Sequence, residues 1–315
     1  MEAVPQLLTR LRDQLGKVIV GQQELITECT LVLLCGGHAL LEGVPGLAKT
    51  LVVKTLARLL RLQFQRVQCT SDLMPADLIG TTVLNMSSST FSFHPGPVFA
   101  DLLLVDEVNR MPPRTQAALL ECMEEHQVTV DGTGHKLSPL FTVFATQNPV
   151  EFEGTYPLPE AQLDRFLLKV RVTYPSQAEE LDLLVKVHEG FDSHRLEDIE
   201  LQPIESELLC HAQAEVGKVK VERTLFNYVL ELTRRTRDWP AISLGASPRA
   251  AISLLTASKA IAAVDGREYL IPDDVKAALL PALRHRILLK PEAELEGMTV
   301  DQVLGDVLNA IEVPR

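Results

Sequence analysis

The sequence predicts an α/β domain built on a parallel sheet and followed by a smaller all-α domain. Two observations support this prediction. From His38 to Thr173, short apolar runs typical of buried strands alternate with helical segments, and this alternation indicates a parallel sheet. After Tyr174-Pro175-Ser176 the strand-like runs stop, and only segments with helical apolar spacing follow. We therefore expect a sheet-based domain over residues 1–175 and a helical domain over residues 176–315.

Two helices are expected ahead of the sheet. Residues 1–20 carry an amphipathic apolar pattern, and the apolar segment Gln22–Cys35 is followed by Gly36-Gly37, a common helix end. The apolar run from His38 to Leu41 then predicts the first strand. This strand leads directly into a glycine-containing loop.

The loop Gly43–Thr50 reads Gly-Val-Pro-Gly-Leu-Ala-Lys-Thr. Glycines allow backbone N–H groups to converge on phosphate oxygens, and the N-terminus of the next helix adds partial positive charge. Lys49 could reach the β- and γ-phosphates of a nucleotide, and Thr50 could ligate Mg²⁺. The general pattern has glycine before the lysine, so we expect Ala48 to keep a negative φ. The loop predicts a phosphate-binding site.

An irregular stretch follows the next strand along the chain. After the predicted strand Phe64–Thr70, the segment Ser71–Phe99 contains Pro75, Gly80 and a hairpin signal around Asn85 to Thr90. Connections of this length inside a compact domain usually carry function. We expect this segment to be an inserted element that projects from the core.

The apolar run beginning at Asp101 ends in two carboxylates, Asp106 and Glu107. A continuous apolar run is typical of a parallel strand buried on both faces, with its carboxyl end at a site. In a phosphate-loop enzyme, Asp106 would hold Mg²⁺ and Glu107 would polarise the water that attacks the γ-phosphorus. The alternative is a pair of solvated acids at a strand end.

A third polar strand end follows. The sequence predicts a helix from about Pro113 to His126, a hairpin centred on Asp131-Gly132 and a buried strand Leu140–Thr146. Asn148 comes directly after this strand. Since ligands bind at the carboxyl ends of parallel strands, Asn148 could orient the attacking water or contact the γ-phosphate. Asn before Pro149 also starts turns, so both interpretations stay open.

The second domain is predicted as a bundle of helices, which are Gln177–His188, Glu205–Val216, Arg223–Arg237, Ser247–Ala263 and Pro272–His285. The basic run Arg234, Arg235 and Arg237 is interpreted as a solvated helix face, and the alternative is a basic contact patch. The histidines show no metal-ligand spacing, and we assign them no role.

Composition limits the classes of function. The net charge of −12 gives no overall electrostatic attraction for nucleic acid, although a local basic stripe could exist. The five cysteines are scattered, which suits buried thiols in a reducing compartment. No apolar stretch approaches the length of a membrane span, so we predict a cytoplasmic protein without membrane insertion.

Several motifs together resemble the MoxR family of AAA+ ATPases over nearly the whole chain. They are the loop Gly43–Thr50, the strand end Asp106–Arg110 with Pro112–Gln116, the segment Ala145–Pro149, and Leu163-Asp164-Arg165-Phe166. The family's loop also has alanine before the lysine, as Ala48 is here. The resemblance implies an AAA+ P-loop core with an insertion after its second helix, at about residues 71–99, and a helical lid domain.

The resemblance also implies site residues. ATP would bind to Val20 and Gly21 on its adenine side, although this segment could equally be a helix start. The phosphates would bind to the loop and the first helical residues, namely Gly43, Val44, Pro45, Gly46, Leu47, Ala48, Lys49, Thr50 and Leu51. Thr50 and Asp106 would hold Mg²⁺. Asp106 and Glu107 form the Walker B pair, and Asn148 matches the first sensor.

Two arginines receive roles from the resemblance alone. Arg165 is similar to an arginine finger that reaches the γ-phosphate of a neighbouring subunit. The alternative for Arg165 is an ion pair with Asp164 or another nearby acid. Arg249 is similar to the second sensor, which couples nucleotide state to the lid, and the resemblance leaves open whether it acts in its own subunit or across an interface.

The resemblance implies an oligomeric, hexameric Mg-ATPase that performs chaperone-like work on protein clients, among them proteins with von Willebrand factor A domains. Ser71–Phe99 and the hairpin Val128–Leu137 would be the client-contacting loops. One alternative is a nucleic-acid-associated motor, which the acidic charge and the few aromatics, Phe91 and Phe93, argue against. Another is a nucleotide-gated scaffold with little turnover, which Glu107 and Arg165 argue against.

Overall fold

The structure is a computed structural model that describes residues 1–87, 89–149, 154–192 and 195–314. Its elements up to the first inserted hairpin are α1 (Ala3–Gly16), α2 (Gln23–Cys35), β1 (Ala39–Glu42), α3 (Lys49–Leu59), β2 (Phe64–Gln68), α4 (Pro75–Ile79), β3 (Gly80–Asn85) and β4 (Thr90–Pro95). The rest of the sheet-based region contains β5 (Leu102–Asp106), α5 (Pro113–Glu125), β6 (Gln127–Val130), β7 (Thr133–Lys136), β8 (Thr142–Gln147), α6 (Glu160–Leu163) and β9 (Leu168–Arg171).

The predicted parallel sheet is confirmed. Five strands lie in the order β2-β5-β8-β1-β9, and every neighbouring pair is parallel. Each residue of β5 is buried, as expected for a strand with helices on both faces. Because all five strands run in one direction, their polar carboxyl ends meet at one edge of the sheet.

The predicted insertion forms an antiparallel hairpin from β3 and β4. Its tip includes Ser88, which lies outside the described residues. Gly80 has φ +92°, and a Cβ there would lie 2.3 Å from the backbone oxygen of His94, so only glycine fits where the two strands meet. Near the tip, Met86 is 83% exposed and Phe91 is 74% exposed. The insertion therefore presents apolar side chains to solvent.

A second hairpin, β6–β7, forms where Asp131-Gly132 predicts one. It contacts the first hairpin through stacked rings of Phe93 and His135, whose centroids are 4.1 Å apart. Phe99 packs edge-on against Phe93 in the same cluster. The two projections are therefore joined to each other as well as to the sheet.

The helical region contains α7 (Gln177–His188), α8 (Ser206–Gly217), α9 (Arg223–Arg235), β10 (Ile242–Leu244), α10 (Pro248–Val264), α11 (Pro272–Leu283), β11 (Leu288–Leu289), α12 (Pro291–Leu295) and α13 (Val300–Asn309). The five predicted helices are all present. The prediction that only helices follow Thr173 is wrong in one detail, because β10 and β11 form a short antiparallel ladder. These strands are too short to show alternation in the sequence.

The helical region packs on the two helices at the start of the chain. The carboxylate of Glu215 on α8 accepts hydrogen bonds from the backbone N–H groups of Glu2, Ala3 and Val4. These are N–H groups at the beginning of α1 that have no partner within their own helix. Glu215 thus caps α1 from the helical region. The domain boundary at residue 175 stays a prediction.

None of the helices in the described parts of the chain has the length and apolar character needed to span a bilayer.

Candidate nucleotide-binding site

A cavity of about 880 Å³ opens at the carboxyl edge of the sheet. Its lining includes most of the residues that the sequence predicts for the site, namely Val20, Gly43, Pro45, Gly46, Leu47, Ala48, Lys49, Thr50, Leu51, Asp106, Glu107 and Asn148. Of the described residues, the predicted Gly21 and Val44 adjoin this lining in the chain without being part of it. The structure brings together residues from four separate chain segments.

The loop before α3 has the geometry of an anion site. Gly46 has φ +88°, and no atom lies within 4 Å of the position where its Cβ would be, so the backbone is open to an approaching group. Helix α3 begins at Lys49, and its first residues line the cavity. The first N–H groups of a helix have no partner within the helix, so they can bind an anion there. The Lys49 ammonium donates to the backbone oxygens of Gly43 at 2.5 Å and Val44 at 2.8 Å. Burial lowers the pKa of Lys49, and the carboxylates of Asp106 and Glu107 oppose this shift.

The backbone at Ala48 differs from the expectation. The sequence pattern predicts a negative φ at this position, whereas the structure has φ +60°. The residue is the N-cap of α3, and the chain must turn sharply there to bring the loop back over the helix start. An alanine in the left-handed region costs about 1 kcal/mol or more because its Cβ approaches the backbone oxygen. The loop therefore stores strain next to Lys49.

Asp106 lies at the end of β5 and is only 6% exposed, which excludes the alternative of a solvated acid for this residue. Its Oδ1 accepts a hydrogen bond from the hydroxyl of Thr146 at 3.2 Å. Its Oδ2 accepts one from Nε of Arg66 at 2.6 Å. Both carboxylate oxygens thus have partners from the strands on either side of β5.

Glu107 continues from Asp106 into a sharp turn with φ +59°. Its backbone N–H donates to the hydroxyl of Thr146 at 2.9 Å, and its carboxylate forms an ion pair with Arg110 at 3.0 Å. Asn148, at the end of the neighbouring strand β8, lines the same cavity and is largely buried. The acids and the amide therefore lie at adjacent strand ends, as the sequence predicts.

Arg66 is a cavity residue that the sequence patterns do not single out. It lies on β2, the edge strand beside β5, and its partner in the register is Leu104. A single arginine in a short polar strand carries no motif. The pairing of β2 with β5 is the signal that could have identified Arg66. In this register Arg66 lies beside Leu104, so its side chain can reach Asp106, which is two residues further along β5.

The structure does not bring Arg165 and Arg249 to the cavity of their own chain. Both form ion pairs with the carboxylate of Glu124 on α5; the Arg165 contact is 2.8 Å. The Arg249 hydrogen bond is the main factor that lowers the pKa of Glu124, while partial burial opposes the shift. We call Glu124, Arg165 and Arg249 the Glu124 cluster. Within one chain, Arg165 therefore forms an ion pair with a nearby acid, which is the alternative to the arginine finger given above, and the acid is Glu124.

Asp164, next to Arg165, bonds to the helical region instead. Its carboxylate accepts from Nε of Arg286 at 2.7 Å and from the hydroxyl of Ser247 at 2.8 Å. Arg286 is buried and also donates to the backbone oxygens of Asp164 and Phe166. The Glu124 cluster therefore lies beside a buried polar contact between the sheet and the helical region.

The fold and the cavity define an AAA+ ATPase. The model of the ATPase family associated with various cellular activities (AAA) matches residues 38–168, and the model of the AAA lid domain matches residues 234–307. A five-stranded parallel sheet with a phosphate loop is thus followed by a recognised helical lid.

Within that class, the chain belongs to the MoxR family. It is 39% identical to Chaperone MoxR1 of Mycobacterium tuberculosis over 98% of this chain and 82% of the relative. It is 42% identical to YeaC of Bacillus subtilis over 99% of this chain and 97% of that protein. The crystal structure of a protein from Cytophaga hutchinsonii assigned as an ATPase has a TM-score of 0.90 and 41% identity, and the match covers 99% and 96% of the two chains.

Proposed function

We propose that this MoxR-family ATPase hydrolyses ATP with Mg²⁺ and uses the reaction to remodel or mature protein clients. The observation that carries the proposal is the convergence of Lys49, Asp106, Glu107 and Asn148 on one cavity. This set combines a cation for the phosphates, a metal ligand, a base and a polar sensor. The positions of Asp106, Glu107 and Asn148 at the strand ends, and of Lys49 at the start of α3, support these roles.

The phosphates bind over the N-terminus of α3. Backbone N–H groups of the loop contact them, and the Lys49 ammonium exchanges its bonds to the oxygens of Gly43 and Val44 for bonds to phosphate. The base of the nucleotide lies against apolar residues at the other end of the cavity, among them Val20 and Val187. Helix α7, which carries Val187, forms one wall of this end.

Thr50 and Asp106 are the residues that would hold Mg²⁺. A hydroxyl and a carboxylate are oxygen donors of the kind that Mg²⁺ prefers, and both line the cavity. Bound Mg²⁺ would neutralise charge on the β- and γ-phosphate oxygens. Glu107 accepts a proton from the attacking water, and Asn148 orients that water. Glu107 must leave Arg110 to do so, which requires a small movement at the end of β5.

The second half of the catalytic machinery comes from a neighbouring copy. Arg165 and Arg249 lie together on Glu124, away from the cavity of their own chain. In a ring, which we propose to contain six copies, this pair would face the nucleotide of the adjacent subunit. Arg165 then stabilises charge on the transferred γ-phosphate, and Arg249 reports the position of the lid.

The client contacts the two joined hairpins. Exposed apolar side chains near the tip of the first hairpin, among them Met86 and Phe91, suit a protein surface. Among partners, we propose proteins with von Willebrand factor A domains. Nucleic acid is the less favoured partner, because the chain is acidic and its two hairpins contain few aromatics for stacking.

The substitution Glu107→Gln tests the proposal. We expect nucleotide affinity within about threefold of the original and a fall in turnover of about 10²-fold to 10⁴-fold, since a general base contributes this much. An unchanged rate would refute Glu107 as the base and favour a nucleotide-gated scaffold.

The same variant, affinity-tagged and held in Mg-ATP, traps the assembled state for capture of a client. Lys49→Ala, which loses nucleotide binding, is the matched control. A von Willebrand factor A-type protein recovered with Glu107→Gln and not with Lys49→Ala supports the chaperone function. Nuclease-sensitive nucleic acid without such a protein would favour the motor instead.

A further inference from the structure

We propose that Arg66 is a positioning residue that competes with Mg²⁺ for the carboxylate of Asp106. This inference rests on the proposed function, because it assigns a role toward the metal that Thr50 and Asp106 would hold. Arg66 thereby sets the Mg²⁺ concentration that the site needs.

Both carboxylate oxygens of Asp106 are already engaged. One accepts from the hydroxyl of Thr146 and the other from Nε of Arg66 at 2.6 Å. The contact to Arg66 is short and charge-assisted, which makes it the stronger of the two. A metal ion or a metal-bound water that needs the Asp106 carboxylate must therefore replace or share the bond with Arg66.

The charge at Asp106 also limits what can bind there. Asp106 is largely buried, and its two carboxylate oxygens already accept one hydrogen bond each, so a further cation competes for the same oxygens. Arg66 and a Mg²⁺ ion on the same carboxylate oxygen would lie close together and repel each other, although Glu107 also lines this cavity. Binding of the metal is therefore linked to withdrawal of the guanidinium from Asp106.

Arg66 can withdraw from Asp106 at low cost. Its side chain is 51% exposed and lies in the cavity wall, so the released guanidinium moves into water rather than into the core. Its NH2 group also donates to the side chain of Gln68 at 3.2 Å, which keeps it near the cavity. A buried arginine such as Arg286 has no such freedom.

The experiment measures Mg²⁺ dependence by binding and not by activity. A fluorescent ATP analogue is titrated with Mg²⁺ in the Glu107→Gln background, and the Mg²⁺ concentration at half-maximal binding is recorded. We expect Arg66→Gln to lower this concentration about tenfold, as for loss of one charge-assisted hydrogen bond. An unchanged or raised concentration would overturn the proposal.

Lys54→Gln is the matched control. Lys54 lines the same cavity from α3, so its replacement takes away one positive charge from the same cavity. If the effect of Arg66 is specific to Asp106, the Lys54→Gln shift stays below about twofold. Equal shifts of the half-maximal Mg²⁺ concentration for the two variants would mean that any positive charge near the cavity has this effect, and would overturn the proposal.

Further variants separate competition from misfolding. Arg66→Lys keeps the charge but loses the planar fork, so an intermediate half-maximal concentration is expected. In an Asp106→Asn background, Arg66→Gln should no longer change it. Melting temperatures without Mg²⁺ identify any variant that fails to fold, and the remaining variants supply the test.

The outcomes also distinguish this inference from the proposed function. Nucleotide binding that ignores Mg²⁺ in every variant would remove the proposed metal and the inference together. Binding that needs Mg²⁺, with the same half-maximal concentration whether or not Arg66→Gln is present, would remove only the inference about Arg66.

Discussion

The cavity at the carboxyl edge of the sheet and the Glu124 cluster differ in how complete they are within one chain. The cavity is lined by Asp106, Glu107 and Asn148 at the carboxyl edge of the sheet and by Lys49 at the start of α3. In the Glu124 cluster, Arg165 and Arg249 share a single acid and do not reach the cavity. One chain therefore brings the predicted phosphate and metal residues together in a cavity, whereas it leaves the two predicted arginines outside that cavity.

The largest expected effect is the loss of ATP turnover in Arg165→Ala, which tests whether the Glu124 cluster acts outside its own chain. If Arg165 acts on the nucleotide of a neighbour, turnover should fall about 10³-fold while nucleotide affinity of the same chain changes little. Mixed assemblies with unmodified protein should lose activity faster than the fraction of variant rises. Arg10→Ala, at an exposed position on α1, is the control. A strictly linear loss in the mixtures would place the action of Arg165 within its own chain.

The next largest effect concerns the contact beside the Glu124 cluster. Arg286→Met should lower the free energy of unfolding by about 3 kcal/mol, because it leaves Asp164 and several backbone oxygens without their buried cation. Urea unfolding measures the loss. Arg61→Met, which removes an exposed ion pair with Glu205, should cost less than about 1 kcal/mol. Similar losses for both would mean that the buried bonds of Arg286 contribute no more to stability than an exposed ion pair does.

A smaller effect on stability is expected at the centre of the Glu124 cluster. Glu124 is 32% exposed, so Glu124→Gln should cost at most about 1 kcal/mol. Turnover should change more than stability does, because the variant no longer holds Arg165 and Arg249 together. Glu121→Gln, at an exposed position on the same helix, is the control for thermal melting and ATPase assays. Equal effects of the two variants on turnover would argue against a role of Glu124 in placing the arginines.

The smallest effect concerns the loop that forms the cavity floor. Ala48→Gly should raise the free energy of unfolding by about 0.5 kcal/mol, since relief of the left-handed strain outweighs the extra freedom of the unfolded chain. Ala57→Gly, inside α3, should instead lower it by about 1 kcal/mol. Chemical denaturation of both variants tests the difference. A loss of stability at position 48 would show that the alanine methyl makes a favourable contact.

What the sequence could predict depends on the range of the interactions. The phosphate loop, the end of β5 and both hairpins are local patterns, and all of them are present. The contact of Arg66 with Asp106 joins residues on two strands, and no local pattern records which strands pair. The prediction for the φ of Ala48 is wrong, because the tightness of the loop overrides the preference of one residue.

The Glu124 cluster shows the same limit from another direction. Resemblance to a family assigns roles to Arg165 and Arg249, but Glu124 lies within an ordinary helical pattern on α5. Only the fold shows that one acid binds both arginines. The short ladder of β10 and β11 escapes prediction for a similar reason, because its two strands are distant in the chain and brief.

The stacked rings of Phe93 and His135 have a mechanical consequence. The two hairpins that they join lead into the amino ends of β5 and β8, whose opposite ends carry Asp106 and Asn148. These central strands pair along their length, and a strand of six residues spans roughly 20 Å. The paired strands β5 and β8 therefore connect the hairpins with the carboxyl edge of the sheet. A force applied to either hairpin would be transmitted along both strands to the cavity that Asp106 and Asn148 line.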